Sequence, residues 1–262
     1  MKLELIKKVQ PEGTGKGNVL LIHGACMAAW VWENNFIPYF FDQGYNVYAV
    51  SLRNHGASEH TSQLRWTSVL DYVNDIDQVI REIGKPVFLV GHSMGGFISQ
   101  HYINQTTANI KGVVLLCSAP SHGSWSLAGR LLQKAPLQFM ISTFGFSWLP
   151  IMKNRKLLKS VMLSPDFPDE RMPSLASQLQ EESFLAFLEM LFWRLPKVKK
   201  AAVPVMIVGA ENDFLVAMRD TIKMASAYGV EPLIIEDASH CFMLEPGWEN
   251  TADKISYFLS LH

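Results

Sequence analysis

Ser93 stands between two glycines, in Gly91-His92-Ser93-Met94-Gly95, where the apolar run "PVFLVG" (86–91) gives way to a helical pattern. A serine hydroxyl is a poor nucleophile near neutral pH unless a base takes its proton. G-x-S-x-G between a strand and a helix is the sharp turn that lifts such a hydroxyl above a sheet edge. The glycines are needed because a Cβ there would strike the neighbouring strand or helix. The helix N-terminus behind the serine favours developing negative charge.

A nucleophilic serine needs a base, and eight histidines compete. His92 lies inside the turn and His101 in mid-helix. His60, His122 and His262 have no strand-end context. His23 and His55 sit in loops with scaffold roles. His240, in "IIEDASHCFMLEP", follows a strand end at the same edge as Ser93 and is the expected base. A carboxylate must fix its tautomer. "PVMIVGAENDFLV" offers Asp213, four residues past Gly209, with Glu211 as the close competitor. The order Ser93, Asp213, His240 is that of a known triad class. Two N–H groups must then hold an oxyanion. The expected donors are Met94, which follows the nucleophile, and Ala25, in the loop after "NVLLIH" (18–23).

These residues need a frame. The chain has 262 residues, 48% hydrophobic and 18% charged, enough apolar material for a large core. Apolar runs at 18–23, 46–51, 86–91, 112–117, 204–209 and 232–236 predict strands, with an N-terminal edge strand over 3–9. Helical patterns fall near 32–43, 67–83, 93–106, 215–228 and 248–260. Near-continuous apolar strands alternating with helices imply an α/β class with a mostly parallel central sheet flanked by helices. The alternation breaks between Cys117 and Pro204. A structureless loop of that length is improbable, so a helical insertion is expected. Its candidate helices are 126–133, 156–163 and 182–195. The expected organisation is a core of 1–120 and 203–262 with a helical cap over 121–202.

Formal net charge is -1, so no nucleic-acid partner is indicated. The cap segment is distinct, with 11 Lys/Arg against 6 Asp/Glu. An uncharged stretch from Ala135 to Met152 contains two prolines and several polar residues, which argues against a membrane span. Three cysteines, Cys26, Cys117 and Cys241, make neither a disulfide framework nor a metal motif. With no apolar leader in the first residues, a cytoplasmic location is expected.

Together "HGAC" (23–26), "SLRNHGAS" (51–58), "GHSMGG" (91–96), "GAEND" (209–213) and "SHCFMLEP" (239–246) strongly resemble the α/β-hydrolase superfamily, in its Ser-His-Asp branch. The resemblance covers about 18–120 and 203–260. It implies the α/β-hydrolase fold, with the cap inserted after the sixth strand of the family fold. It implies Ser93 as nucleophile, His240 as base, Asp213 as its partner, Ala25 and Met94 as oxyanion donors, and neither metal nor cofactor. The family's "DxRGHGxS" loop departs here at Ser51 and Asn54, and Arg53 and His55 are read as scaffold. "HGACMAAWVW" also resembles the opening of plant methylesterases and hydroxynitrile lyases. The two lyase marks are absent, because Gly24 and Cys241 stand where lyases carry threonine and lysine.

Such machinery suits acyl transfer to water. The expected activity is a carboxylesterase, or a lysophospholipase or monoacylglycerol-lipase-like enzyme, acting on small-molecule esters of apolar acyl groups. Alternatives on the same frame are a C–C bond or amide hydrolase and a ligand-binding receptor. Aminopeptidase relatives hold an amine with cap acids, for which Glu170, Glu181 and Glu182 are available. Cys26, Trp125, Phe144, Trp148 and Phe187 are the candidate substrate-binding residues. The basic, aromatic cap leaves open a transient contact with a membrane surface. Cys26 and Cys241 adjoin the expected site, as buried small hydrophobes or as thiols whose alkylation would inhibit.

Overall fold

The computed structural model describes residues 1–198 and 202–262. Seven strands form one sheet: β1 (Glu4–Lys8), β2 (Asn18–Ile22), β3 (Asn46–Ser51), β4 (Val87–His92), β5 (Ile110–Leu116), β6 (Val205–Ala210) and β7 (Pro232–Ile235). Their order is β1-β3-β2-β4-β5-β6-β7. β1 pairs antiparallel with β3, and the other pairings are parallel. Every residue of β2 and β4 is buried. Their centres, Val19–Ile22 and Val87–Val90, are continuous apolar runs because helices cover both faces.

Those helices are α1 (Phe36–Asp42), α2 (Val69–Ile83), α3 (Met94–Gln105), α10 (Met218–Tyr228) and α11 (Trp248–Ser260), with α4 to α9 described below. α2 shows how the sequence sets its own limits. Ser68 and Asp71 form a capping box at its start, and Gly84 closes it at φ +65°. Its buried stripe, including Tyr72, Val73, Ile76 and Ile80, packs with Phe97, Ile98 and Met224 on one face of the sheet. Trp32, Phe36, Phe40 and Ile255 fill the opposite face.

Between β5 and β6 the chain forms α4 (Trp125–Lys134), α5 (Pro136–Gly145), α6 (Leu149–Met152), α7 (Arg155–Met162), α8 (Met172–Gln178) and α9 (Phe184–Leu188). α9 runs on as π-helix over Glu189–Trp193. The insertion leaves the sheet after the fifth of seven described strands, one lower than the family count used above. Residues 199–201, at the end of the expected cap segment, lie outside the described residues. The expected helix over 182–195 begins two residues later, because Ser183 caps it by accepting from the Ala186 N–H at 3.1 Å. α5, α6 and α8 were not anticipated. The uncharged 135–152 stretch is broken at Phe146, whose φ is +51°. Among the described residues, no helix is long and apolar enough to cross a membrane.

Candidate active site

Ser93 is the one residue between Val87 and Tyr102 that is not buried. Its backbone sits at φ +52°, ψ -114°, outside the regions open to ordinary residues. Such a conformation costs of order 1–3 kcal/mol and persists only where its surroundings over-determine it. Here they do. The Ser93 N–H donates to Leu116 O at 2.9 Å, and Ser93 O accepts from the Phe97 and Ala119 N–H groups at 3.1 Å. A Cβ on Gly95 would lie 2.4 Å from Ile22 O and 2.6 Å from His23 O; one on Gly91 would lie 2.5 Å from Gly95 O. The glycines let α3 start against the end of β2.

His240 and Asp213 come from loops after β7 and β6. His240 Nδ1 lies 2.8 Å from Asp213 Oδ2, and both side chains are buried. Asp213 Oδ1 accepts from the Leu215 and Val216 N–H groups at 2.7 and 2.8 Å. A carboxylate at Nδ1 puts the proton there and leaves Nε2 with its lone pair. His92 ties this loop to the elbow: its Nε2–H donates to His240 O at 2.9 Å, and the two rings lie 4.7 Å apart. Burial first, and His240 second, push the His92 pKa well below its ordinary value, so His92 is a neutral packing group. Ser93 Oγ has no hydrogen bond among the described residues. Hydrogen bonds of a serine to its base commonly tighten only when substrate binds.

Ala25 and Ser93 line one pocket of about 760 Å³, open mouth included. The Met94 N–H opens α3, where no carbonyl a turn earlier within the helix can accept it. The Ala25 N–H has no partner among the described hydrogen bonds. His23 is packed, as expected. Its Nδ1–H donates to Gly24 O and its Nε2 accepts from the Leu52 N–H, while burial and then His55 lower its pKa to about 3.

Of the candidate substrate-binding residues, Cys26, Trp148 and Phe187 line the pocket. Trp125 and Phe144 do not. They stand on outward faces of α4 and α5, 62% and 73% exposed, and Trp125 stacks on Phe192. The apolar lining comes instead from Leu127, Leu131, Ile151, Met152 and Val161, on inward faces of α4, α6 and α7. Aromatic content alone could not distinguish the two faces of these helices.

All three cysteines are buried, and burial leads in raising each thiol pKa well above its ordinary value, so they are protonated and poorly nucleophilic. Cys117, Asp213 and His240 place donor atoms within 4.8 Å of one another and could in principle hold a metal. Both Asp213 oxygens are already engaged by Leu215, Val216 and His240.

One residue the sequence placed otherwise proves central. Glu182 is 1% exposed at the pocket wall. It accepts from Tyr72 Oη and the Ser183 N–H at 2.7 Å, and from the Cys26 N–H at 3.1 Å. His55 Nε2 lies 3.1 Å from Glu182 Oε2, a close ionic contact that is poorly aligned as a hydrogen bond. His55 Nδ1 faces Arg53 O at 2.9 Å. An acceptor near each nitrogen favours the doubly protonated form of His55. Burial alone would lower the His55 pKa, but Glu182 and the Arg53 carbonyl raise it. Burial alone would raise that of Glu182, but His55, Tyr72 and Ser183 lower it. Arg53 is held apart by Asp75, at 2.7 Å, and acts as scaffold.

Two expectations follow. Gly95→Ala should abolish active-site labelling and lower stability by several-fold more than Gly145→Ala, where a Cβ meets nothing within 4 Å; denaturant melts check this, and equal midpoints would contradict it. The second concerns pH. The lowered Glu182 pKa gives stability fully present above its unfolded value, 4.5, and lost as pH falls through the folded one. The raised His55 pKa gives stability fully present below its unfolded value, 6.5, and lost as pH rises through the folded one. The stability difference between wild type and Glu182→Gln should peak between these values in urea unfolding, and a flat difference would contradict the pair.

A profile of the Alpha/beta hydrolase family matches residues 19–253. In solved structures the fold is similar to an esterase from Exiguobacterium antarcticum, 16% identical, TM-score 0.74, with 98% of this chain and 95% of that one covered. It is also similar to the Paleococcus ferrophilus monoacylglycerol lipase, 21% identical, TM-score 0.69, with 99% and 98% covered. The monoacylglycerol lipase abhd6-B of Xenopus laevis is 31% identical over 109 residues, 40% of this chain and 31% of that protein. The chain spans about a third of the length of the curated relatives it matches. With the profile running through the strained serine turn and on past His240, the chain belongs to the alpha/beta hydrolase family.

Proposed function

We propose that this protein hydrolyses carboxylic esters of apolar acyl groups through an acyl-enzyme on Ser93. The observation that carries the reading is the buried His240–Asp213 contact, on loops that follow strands of the same sheet as a strained, solvent-reaching serine. His240 takes the Ser93 proton as Oγ attacks the ester carbonyl. The Ala25 and Met94 N–H groups receive the oxyanion. His240 returns the proton to the departing alcohol, then draws one from water as the hydroxyl attacks the acyl carbon. The free acid leaves and Ser93 is restored. The apolar pocket favours a hydrocarbon acyl chain, and esterases and lipases among the similar structures agree with this.

Amine-directed hydrolysis has less support. Glu170 is exposed away from the pocket. Glu181 accepts from Ser147 Oγ and the Trp148 N–H, and Glu182 accepts from three donors and is paired with His55. None of the three offers a free carboxylate at the pocket to a substrate ammonium.

A fluorophosphonate probe should label wild type and not Ser93→Ala. On p-nitrophenyl esters, kcat/KM should climb from acetate by up to about fourfold per methylene until the pocket is full, from ~0.8 kcal/mol per buried CH2. Unlabelled folded wild type, or no hydrolysis from acetate to palmitate, would end the ester reading.

The outer face of the cap supports a place for meeting such substrates. Leu137, Met140, Ile141 and Phe144 fall at i, i+3, i+4 and i+7 of α5, so its apolar stripe points outward. Exposed Lys134 and Lys153 bracket the uncharged stretch. A helix of this kind lies in the plane of an anionic lipid surface. Wild type should co-sediment with phosphatidylglycerol-containing vesicles, less so in high salt, while Leu137→Ser/Ile141→Ser should stay in the supernatant. Equal behaviour of the two proteins, or a dimer by light scattering that buries the stripe, would reject the lipid contact.

A further inference from the structure

Among the buried contacts that join cap to core, one lies at the pocket wall and is not used by the chemistry above. The segment 180–183 threads between the loop after β2 and the loop after β3. The Gln180 N–H donates to Cys26 O at 2.9 Å, and the Cys26 N–H donates back to Glu182 Oε2 at 3.1 Å. Gln180 Oε1 accepts from the Gly56 N–H at 2.7 Å, and Ser183 Oγ donates to Thr67 O at 2.6 Å. Both polar groups of the Cys26 backbone are thus held by the cap. Cys26 itself sits at φ +64°, a conformation a non-glycine residue keeps only under constraint. Its neighbour in the chain is Ala25, whose N–H is the expected oxyanion donor.

We propose that Glu182 is a positioning residue that sets the oxyanion loop from the cap side, with the His55 imidazolium holding its carboxylate in place. The proposal rests on the ester-hydrolysis reading for its catalytic consequence. The peptide plane between Ala25 and Cys26 is fixed by the Cys26 N–H bond, and the orientation of the Ala25 N–H follows through one residue. Glu182 lines the pocket, but its carboxylate accepts three hydrogen bonds from the protein and has His55 against it. Its donors are Tyr72 Oη, the Ser183 N–H and the Cys26 N–H, and His55 makes the ionic contact. It acts through Cys26 and touches no reacting atom.

The test is Glu182→Gln, which keeps the size. Without the carboxylate, His55 loses its second proton, and its bare Nε2 is satisfied by the glutamine NH2. That turns a donor toward the Cys26 N–H and breaks the contact. The expected result is a fall in kcat of about 10- to 100-fold on a p-nitrophenyl ester with KM within about threefold, since an oxyanion donor acts mainly in the transition state. The Cys26 amide should also exchange hydrogen faster. Tyr72→Phe removes one donor from the same carboxylate with little change of shape. It should lower kcat about two- to fivefold and speed the same amide. A folded Glu182→Gln with kcat within twofold, or a loss confined to KM, overturns the proposal. If Glu182→Gln does not fold, an unaltered kcat and Cys26 amide in Tyr72→Phe overturn it instead. Wild type that hydrolyses no ester would sink the ester reading alone, and Cys26 exchange would then decide whether Glu182 holds the loop.

Discussion

The site hangs on one backbone contact, the approach of Gly95 to the carbonyls of Ile22 and His23. Because nothing projects from Gly95, α3 can begin directly against the end of β2. That places the loop after β2, with Ala25, next to the first N–H groups of α3. The same contact forces the turn at Ser93 into its positive φ, and the end of β5 locks it there through Leu116 and Ala119. Strain at the serine and the closeness of the two loops are two results of one packing requirement.

The parallel sheet supplies the rest by topology. Strands that run the same way deliver their following loops to one edge, so the loops carrying Ser93, Asp213 and His240 reach the same edge although far apart in sequence. The core side is held by backbone bonds: two N–H groups fix Asp213, and His92 fixes the His240 loop. The cap side is held by charge. Glu182 and His55 exchange a buried ionic contact that only a closed, dry pocket wall can support. Glu189 does similar work further along. It accepts from Ser68 Oγ and the Val69 N–H at the start of α2 and pairs with Arg194.

Core elements were legible because each had a local signal. Apolar runs marked the strands to within about two residues, and the glycines around Ser93 marked the turn. Asp213 and His240 could be assigned because they follow strands at the edge where Ser93 emerges. The cap was harder. Its helices are short, and Leu, Met, Phe and Trp occur on both inward and outward faces, so Trp125 and Phe144 were misplaced while Leu131 and Ile151 went unnamed. Glu182 carried no local signal of its role. Its partners lie at positions 26, 55 and 72, and a buried pair of that separation appears only once the chain is folded.

The most direct measurement is a crystal structure of the protein after reaction with a long-chain alkyl phosphonate. The account predicts phosphorus bonded to Ser93 Oγ, a phosphonyl oxygen within hydrogen-bond distance of the Ala25 and Met94 nitrogens, and the alkyl chain lying among Leu131, Ile151 and Val161. Phosphorus on another residue, an oxygen turned away from both nitrogens, or a chain lying outside the cap would contradict it.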